Sequence, residues 1–348
     1  MAVGDTALYS GESYLGIGRE TAYGSYVTAT AGLDFISANF KTVKDAKILE
    51  QVERKRTMSK QMSLGKVCTG DAEAFVSPDV TALGYILQNA FGGTLTSATA
   101  TGETAGGLAF THTFAEGSMD QTYKSLSANI RKGPATGGKV WRYIGGRVNT
   151  MNLTAELDEP LKLSLGMIYK DSTQMSDDIE GQFTATAWEA LSFANGRLSV
   201  ETAFASLTTT SFWHVQNINF TLNNNLKSDA AARRIGSDVL AVLPVGVQGY
   251  ELSCQIRFDT TTAYDAMINA TKLAAEFEFL GSTLGTSIIR RGLKLQFQKV
   301  YVKDAGDPEI SGPDQVLTAN VVFNVLRDES ATGYAVRAQM TNAVANYT

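Results

Sequence analysis

An internal repeat constrains the fold of this chain more than any other feature of its sequence. Residues Glu20–Ser25 read Glu-Thr-Ala-Tyr-Gly-Ser, and the run recurs 181 positions later as Glu-Thr-Ala-Phe-Ala-Ser at Glu201–Ser206. With an offset of 180 positions, Phe40 falls on Phe220. Self-similarity at a fixed offset is the signature of a repeated architectural unit. The sequence therefore predicts that one fold is present twice.

The length of the chain agrees with this interpretation. It has 348 residues, which exceeds the ~100–200 residues typical of one domain. We therefore predict two tandem domains at residues 1–175 and 183–348, with an acidic, polar linker at 171–182. The first domain carries a Gly/Thr/Ala/Ser-rich insertion at 93–118 that has no counterpart in the second. This insertion is expected to be an exposed loop or hairpin.

Each half contains the patterns of several strands and one short helix. Apolar and polar residues alternate along Tyr250–Phe258, which is typical of a half-buried antiparallel strand. Ser77–Asp79 precede apolar residues at helical spacing that end at Gly92–Gly93, and Asp259–Thr260 open the corresponding segment of the second half. The predicted fold class is mainly β with minor α.

Each half also contains a polar arm between two of its strands. Lys41–Lys60 holds seven basic and three acidic residues with few large apolar groups, so this arm cannot bury itself. The matching stretch, Asn223–Ser237, is likewise polar and partly basic. A solvated loop is one interpretation, and an arm that becomes ordered on a neighbouring subunit is the other. The predicted subunit-interface residues are Lys44, Lys47, Arg54, Lys55, Arg56, Lys60, Asn223, Asn224, Asn225, Lys227, Arg233 and Arg234.

Composition and motifs argue against several functional classes. The formal net charge is −5, whereas a duplex-binding protein normally carries a positive surface, so sequence-specific DNA binding is not expected. His112 and His214 lack spaced partners and are distant in sequence from Cys68 and Cys254, so no metal site is predicted. There is no Gly-x-Ser-x-Gly elbow and no phosphate loop. We therefore predict no enzyme and no cofactor, and we expect both cysteines to be buried thiols.

The sequence contains no pattern of export or membrane insertion. The first residues lack a basic segment followed by an apolar core, and no window approaches the ~20 apolar residues of a spanning helix. The expected product is soluble and cytoplasmic. A strand-rich duplication without a catalytic motif is expected to work by assembling, because exposed strand edges must be paired, covered or closed into a ring.

Two segments carry a resemblance to a known family. Gly16–Gly24, read as Gly-Ile-Gly-Arg-Glu-Thr-Ala-Tyr-Gly, resembles the start of tail tube proteins from long-tailed bacteriophages. The Asn-rich run Phe220–Leu226, followed by a strand led by Gly249, is similar to the strand and arm of the same family. The resemblance implies tandem β-sandwich or barrel domains, each with one short flanking helix.

The resemblance also implies a function. Such subunits form stacked rings that make the tail tube of a siphovirus-like virion, assembled in the host cytoplasm, and DNA passes through the lumen without sequence-specific binding. Other tail proteins would contact the tube ends. Family rings commonly contain six tube domains, so a chain with two of them implies a trimeric ring with pseudo-sixfold symmetry. A hexamer remains the alternative if one half is an external decoration.

Two other functions remain open at this point. A tail terminator or tip component would share the fold. A soluble carbohydrate-binding or adhesive β-module would need an aromatic patch, for which Trp141, Trp188 and Trp213 are the candidates, although packing in a core or interface is the more ordinary role of these side chains.

Overall fold

Antiparallel strands make up most of the chain, as the sequence predicts. A computed structural model describes residues 10–49, 60–103, 108–117, 125–134, 137–176, 178–179, 188–207, 212–258, 260–306, 316–330 and 332–347. The strands form one large sheet system that does not close into a barrel within the chain. The predicted mainly-β class with minor α is confirmed.

The first part of the chain contains ten strands and one helix among its described residues. They are β1 (Tyr14–Arg19), β2 (Ala31–Leu33), β3 (Ser37–Ile48), β4 (Gln61–Phe75), α1 (Thr81–Phe91), β5 (Gly92–Thr99), β6 (Phe110–Glu116), β7 (Leu126–Lys132), β8 (Lys139–Glu156), β9 (Lys162–Tyr169) and β10 (Asp171–Met175).

The second part contains eight strands and one helix among its described residues. They are β11 (Gly196–Glu201), β12 (Phe212–Trp213), β13 (Val215–Asn223), β14 (Gly249–Arg257), α2 (Thr262–Ile268), β15 (Leu273–Thr283), β16 (Arg290–Asp304), β17 (Thr318–Leu326) and β18 (Val336–Asn342).

The strand pairings of the first part recur in the second. In the first part β1 pairs with β2 and β7, β8 with β7, β9 and β10, and β4 with β3 and β9. In the second part β11 pairs with β12 and β15, β16 with β15, β17 and β18, and β14 with β13 and β17. Every strand of the second part therefore has a counterpart in the first. The hairpin of β5 and β6 is additional.

The register repeats as closely as the pairing. Phe40 lies opposite Gly70 between β3 and β4, and Phe220 lies opposite Leu252 between β13 and β14. The pairing of β8 with β9 shifts register after Val148, and that of β16 with β17 shifts after Val302. The two shifts therefore align β8 with β16 residue by residue, although the amino acids at most aligned positions differ.

The two parts join through a direct strand pairing. Thr150–Glu156 at the end of β8 pair with Asn217–Asn223 of β13. Eight strands consequently run side by side in the order β3, β4, β9, β8, β13, β14, β17 and β16. We call this array the joint sheet.

One face of the joint sheet is apolar and buried. Its side chains alternate with polar ones along each strand, as a period of two requires. Leu153 of β8 lies opposite Leu163 of β9 and Phe220 of β13, and all three are at most 1% exposed. The largest cluster of buried apolar residues takes members from both parts of the chain. The predicted strand over Tyr250–Phe258 is β14, with Leu252 and Cys254 buried.

The two helices form where they are predicted, and Asp259, which was expected to open the second, lies outside the described residues. Helix α1 begins at Thr81 after Val80, without a side-chain cap. Asp79 does not cap the helix because its carboxylate pairs with Arg291 of β16. Gly92 ends the helix in the left-handed conformation (φ 71°), as the sequence predicts. Neither described helix is long and apolar enough to cross a membrane.

The insertion contains a hairpin, which is one of the two forms that the sequence predicts, and the predicted linker begins with a strand. The insertion at 93–118 contains the hairpin of β5 and β6, and β6 also pairs with β18. The predicted linker at 171–182 begins with strand β10, which pairs with β8, so these first residues form part of the sheet. Residues 177 and 180–182 lie outside the described residues.

Candidate functional site: assembly surfaces

The second face of the joint sheet is a polar surface that crosses both parts of the chain. One row of side chains lies in register on all eight strands. In order across the sheet, it consists of Ser37, Glu73, Ser164, Asn152, Thr221, Glu251, Asn324 and Tyr301. Amides and hydroxyls dominate this row, and its two charged members are both carboxylates.

Hydrogen bonds between side chains hold the centre of this polar face. Oγ1 of Thr221 donates to Oδ1 of Asn152 (3.3 Å), and Oγ1 of Thr154 donates to Oδ1 of Asn219 (3.3 Å). Both bonds cross the boundary between β8 and β13. The centre of the face is thus uncharged, internally satisfied and half-exposed, a surface that offers little to bind phosphate tightly.

The sequence predicts that β8 and β13 each have a polar side, but it does not predict that these two sides form one surface. Asn and Thr residues alternate with apolar ones in both β8 and β13, for example at Asn152, Thr154, Asn219 and Thr221. That alternation predicts two faces for each strand. Only the pairing of β8 with β13 places the polar residues of both parts on one continuous surface.

The first arm is a two-stranded ribbon at the edge of the joint sheet. Strands β3 and β4 extend beyond the sheet, and residues 41–48 of β3 are exposed. Lys44 and Lys47 lie on this ribbon, and Lys60 directly precedes β4. The predicted interface residues Arg54, Lys55 and Arg56 lie outside the described residues.

The second arm folds back over the first part of the chain. Ala232 of this arm and Leu240 and Leu243, which follow it, form a small buried cluster against Tyr23 and Ile168 of the first part. The N–H of Lys66 donates to the carbonyl oxygen of Asp238 (2.8 Å), and the ammonium of Lys44 lies 3.6 Å from the Asp238 carboxylate. This arm therefore already lies on an adjacent repeat, although that repeat belongs to the same chain.

The predicted interface residues of the second arm have different surroundings. Asn225 and Lys227 are exposed, as is Arg234, and Asn223 and Arg233 are half-buried. The Arg233 guanidinium donates to the carbonyl oxygen of Lys66 (3.4 Å). Whether any of them contacts another subunit stays a prediction.

Asn224 is buried inside the chain. Its Nδ2 donates to the carbonyl oxygens of Ala90 (2.9 Å) and Val148 (2.8 Å), and its Oδ1 accepts from Nε2 of Gln248 (2.7 Å). The side chain thus fastens the base of the second arm to the end of α1 and to β8. Its polar atoms are used within the chain.

The outer edge of β3 is an open strand edge. No strand in the described part of the chain pairs with the side of β3 that faces away from β4. Nζ of Lys132 donates to the carbonyl oxygen of Phe40 (2.8 Å) and lies 5.1 Å from the ring centroid of Trp141. Lys132 belongs to β7, and its ammonium covers part of the open edge of β3, where lysine is a common protection against unwanted pairing. Nothing in the sequence indicates this site, because the strand topology alone makes β3 an edge.

The histidines and cysteines offer no catalytic arrangement in the described residues. His112 is buried, its Nε2 faces the carbonyl oxygen of Val344 (2.8 Å), and burial lowers its pKa below the ordinary value. Cys68 and Cys254 are free and buried, and burial raises the pKa of the Cys254 thiol to about 12. The described ranges contain no group of three residues suited to hold a metal ion.

The tryptophans do not form the aromatic patch that sugar binding would use. Trp141 and Trp213 pack against the main core, and the Trp213 ring lies 5.8 Å from that of Phe323. Trp188 is half exposed. Packing accounts for two of the three candidates for the carbohydrate-binding alternative.

Comparison with known proteins identifies one family. The model of the family described as phage tail tube protein matches residues 11–325, which is most of the chain and includes both parts of the joint sheet. No curated protein matches the chain.

Proposed function

Because this chain belongs to the phage tail tube protein family, we propose that it assembles into stacked rings that form the tail tube, and that each chain supplies two of six equivalent ring positions. Three chains then make one ring with pseudo-sixfold symmetry. The family membership supports a structural role in the virion, and the assembly geometry is our inference.

The observation that carries this proposal is the joint sheet. Two sets of strands with the same pairings lie side by side, and β8 of the first set pairs with β13 of the second. Repeating that junction between chains would continue the sheet around a ring. A heterologous contact of this kind produces a closed ring when the rotation between neighbouring subunits is a whole-number fraction of a full turn.

The polar face of the joint sheet is the surface that we assign to the lumen. Its central residues, such as Asn152 and Asn219, are uncharged, and carboxylates occur at Glu73 and Glu251. Lysine or arginine rows would release counterions and retain the phosphate backbone. A wall with an uncharged centre, on which Lys162 and Lys299 are each paired with a carboxylate, instead lets DNA pass during ejection.

We assign the contact between successive rings to the first arm. It extends beyond the sheet, and its exposed residues include the apolar Val43, Ile48 and Met62. Exposed apolar groups of this kind on a ribbon indicate a protein partner. Removing residues 44–63 should leave folded subunits that do not stack, and tubes of normal length from that deletion would exclude this role.

Electron microscopy of tubes assembled from the purified chain tests the proposal as a whole. We expect rings of three chains with six similar densities around a central channel. Six chains per ring would replace the trimer by the hexamer. A protein that remains monomeric at high concentration and is present in only a few copies per virion would favour the terminator or tip component.

A further inference from the structure

The first arm loses the support of a third strand at its base. Strand β9 pairs with β4 only as far as the contact between Tyr169 and Cys68. From Val67 towards the tip of the arm, β3 is the only strand that pairs with β4 in the described part of the chain. A two-stranded ribbon without further support is marginally stable in water. The direction of the first arm therefore depends on what holds its base.

Residues 232–243, which we call the brace, take the place of the third strand at this base. The N–H of Lys66 donates to the carbonyl oxygen of Asp238 (2.8 Å), and the carbonyl oxygen of Lys66 accepts from the guanidinium of Arg233 (3.4 Å). Lys66 lies two residues before Cys68, so its backbone groups point to the side on which β9 pairs. The brace thus continues the edge of β4 where β9 ends.

The brace is itself anchored to the first part of the chain. Leu240 and Leu243 are at most 1% exposed and pack with Tyr23 and Ile168. The guanidinium of Arg147 donates to the carbonyl oxygen of Leu243 (2.8 Å). Because buried side chains and a hydrogen bond fix these residues, the brace is a firm support for the ribbon beside it.

The base of the first arm is shaped to receive the brace. A Cβ atom at Gly65 would lie 1.7 Å from Nη1 of Arg233. The missing side chain leaves the space from which the guanidinium reaches the carbonyl oxygen of Lys66. The ammonium of Lys66 pairs with the carboxylate of Asp171 and donates to the carbonyl oxygen of Ser172 (3.4 Å), both in β10. Lys66 is therefore held through both its backbone and its side chain.

We propose that the brace fixes the direction of the first arm, and that Gly65 and Arg233 are positioning residues for the contact between successive rings. The inference rests on the stacking role proposed above and adds the residues that control it. The ribbon from Val43 to Ile48 is ~20 Å long, so a tilt of about 20° at its base moves its far end by ~7 Å. That displacement exceeds the range of hydrogen bonds and of apolar contacts. A loosely held arm therefore misses its partner in most orientations.

Hydrogen exchange on free subunits tests the brace without assembly. In the variant Gly65→Val the new side chain displaces only the flexible end of the Arg233 side chain, so the subunit should fold. We expect the amide of Lys66 to exchange about tenfold faster than in the natural chain. The matched control is Gly249→Val at the start of β14, where a Cβ atom meets nothing within 4 Å and the Lys66 amide should keep its rate. An unchanged rate in Gly65→Val overturns the brace.

Spin labels on free subunits measure the direction of the arm. Lys47→Cys on the arm and Lys139→Cys on β8 place the labels at exposed positions, and the native cysteines are buried. The distribution of distances between the labels should be about twofold broader in Gly65→Val and in Arg233→Ala than in the natural chain.

Two further variants show whether this effect passes through the guanidinium. Joining Gly65→Val to Arg233→Ala should add nothing to either change, because alanine removes the side chain that the valine displaces. Arg233→Lys keeps a cation that can donate to the same carbonyl oxygen and should restore most of the natural width. Equal widths in all variants overturn the proposal.

Tube assembly separates this inference from the function on which it rests. Subunits with Gly65→Val or Arg233→Ala should form rings that stack about tenfold more weakly, so their tubes should be shorter in electron micrographs than those of the natural chain and of Gly249→Val. A broader distribution of arm distances with tubes of normal length refutes the positioning role.

Two other outcomes have distinct meanings. Short tubes from Arg233→Ala with normal tubes from Gly65→Val would assign Arg233 to a direct contact between subunits and overturn the proposal. Failure of the unsubstituted chain to form rings refutes the proposed function, whereas exchange and label distances in free subunits still decide whether the brace holds the arm.

Discussion

The replacement Asn224→Ala should destabilise the subunit by about 3 kcal/mol. Asn224 is 1% exposed, and its side chain makes three hydrogen bonds, to the carbonyl oxygens of Ala90 and Val148 and from Gln248. Each hydrogen bond contributes about 1 kcal/mol net to the stability of the fold, and three bonds give this sum. In the alanine variant the carbonyl oxygens of Ala90 and Val148 and the amide of Gln248 lose their partner.

Urea unfolding of the unassembled subunit measures this loss. With a slope near ~3 kcal/mol per M, the midpoint should fall by about 1 M. Asn224→Asp keeps the volume and the acceptor but removes both donors and places a carboxylate against two carbonyl oxygens. It should destabilise the chain at least as much as alanine does.

Asn225→Gly is the matched control. Asn225 is exposed and has a φ of 47°, which glycine adopts without strain. Its Nδ2 donates one exposed hydrogen bond to the carbonyl oxygen of Val247 (2.7 Å), and the midpoint should shift by less than about 0.2 M, since exposed substitutions usually change stability by about 0.5 kcal/mol or less. A shift for Asn224→Ala no larger than that of the control would refute the conclusion that this amide holds the arm to the first part.

Three further predictions use other parts of the structure. Glu20 is fully buried and accepts hydrogen bonds that include those from the N–H groups of Gly24 and Gly145 (both 2.8 Å), so Glu20→Gln should cost about 2–4 kcal/mol in a thermal unfolding experiment. The half-buried counterpart Glu201 should tolerate the same change, and equal losses would contradict this reasoning. Burial lowers the pKa of His112 below 6.5, so the unfolded chain binds more protons below that pH, and the stability present above pH 6.5 is lost as the pH falls. Unfolding at pH 5 and 7.5 should show this loss in the natural chain and a smaller one in His112→Asn, and an identical pH dependence would exclude the histidine as its source. The double variant Asn152→Lys with Asn219→Lys should leave tube assembly intact. Its tubes should retain DNA at low salt in a filter-binding assay and release it at high salt. Unchanged DNA retention in intact tubes would place this face outside the lumen.

The sequence predicted the local elements well because their signals are local. Alternation identified β14, and helical spacing followed by Gly92 identified α1. The polar character of the first arm likewise follows from its composition. These properties depend on neighbouring residues and on backbone preferences, which the sequence displays directly.

Other features depended on which strands meet. The segment Ser77–Asp79 offered a capping side chain for α1, but the helix has no side-chain cap, and the carboxylate of Asp79 pairs with Arg291, more than 200 residues later in the chain. Asn224 was expected at a subunit interface, but it is buried between the base of the second arm and the end of α1. In both cases the partner is distant in sequence, so composition and spacing could not reveal it.

The sequence by itself determined that this chain is mainly β, that its pattern occurs twice, and that it has an exposed polar arm. Only the tertiary structure decided that β8 pairs with β13, which joins the polar residues of both parts into one face and leaves the edge of β3 open. The physical reason is that alternation specifies the two faces of each strand, whereas hydrogen bonding between strands distant in the chain specifies which faces become continuous and which edges stay unpaired.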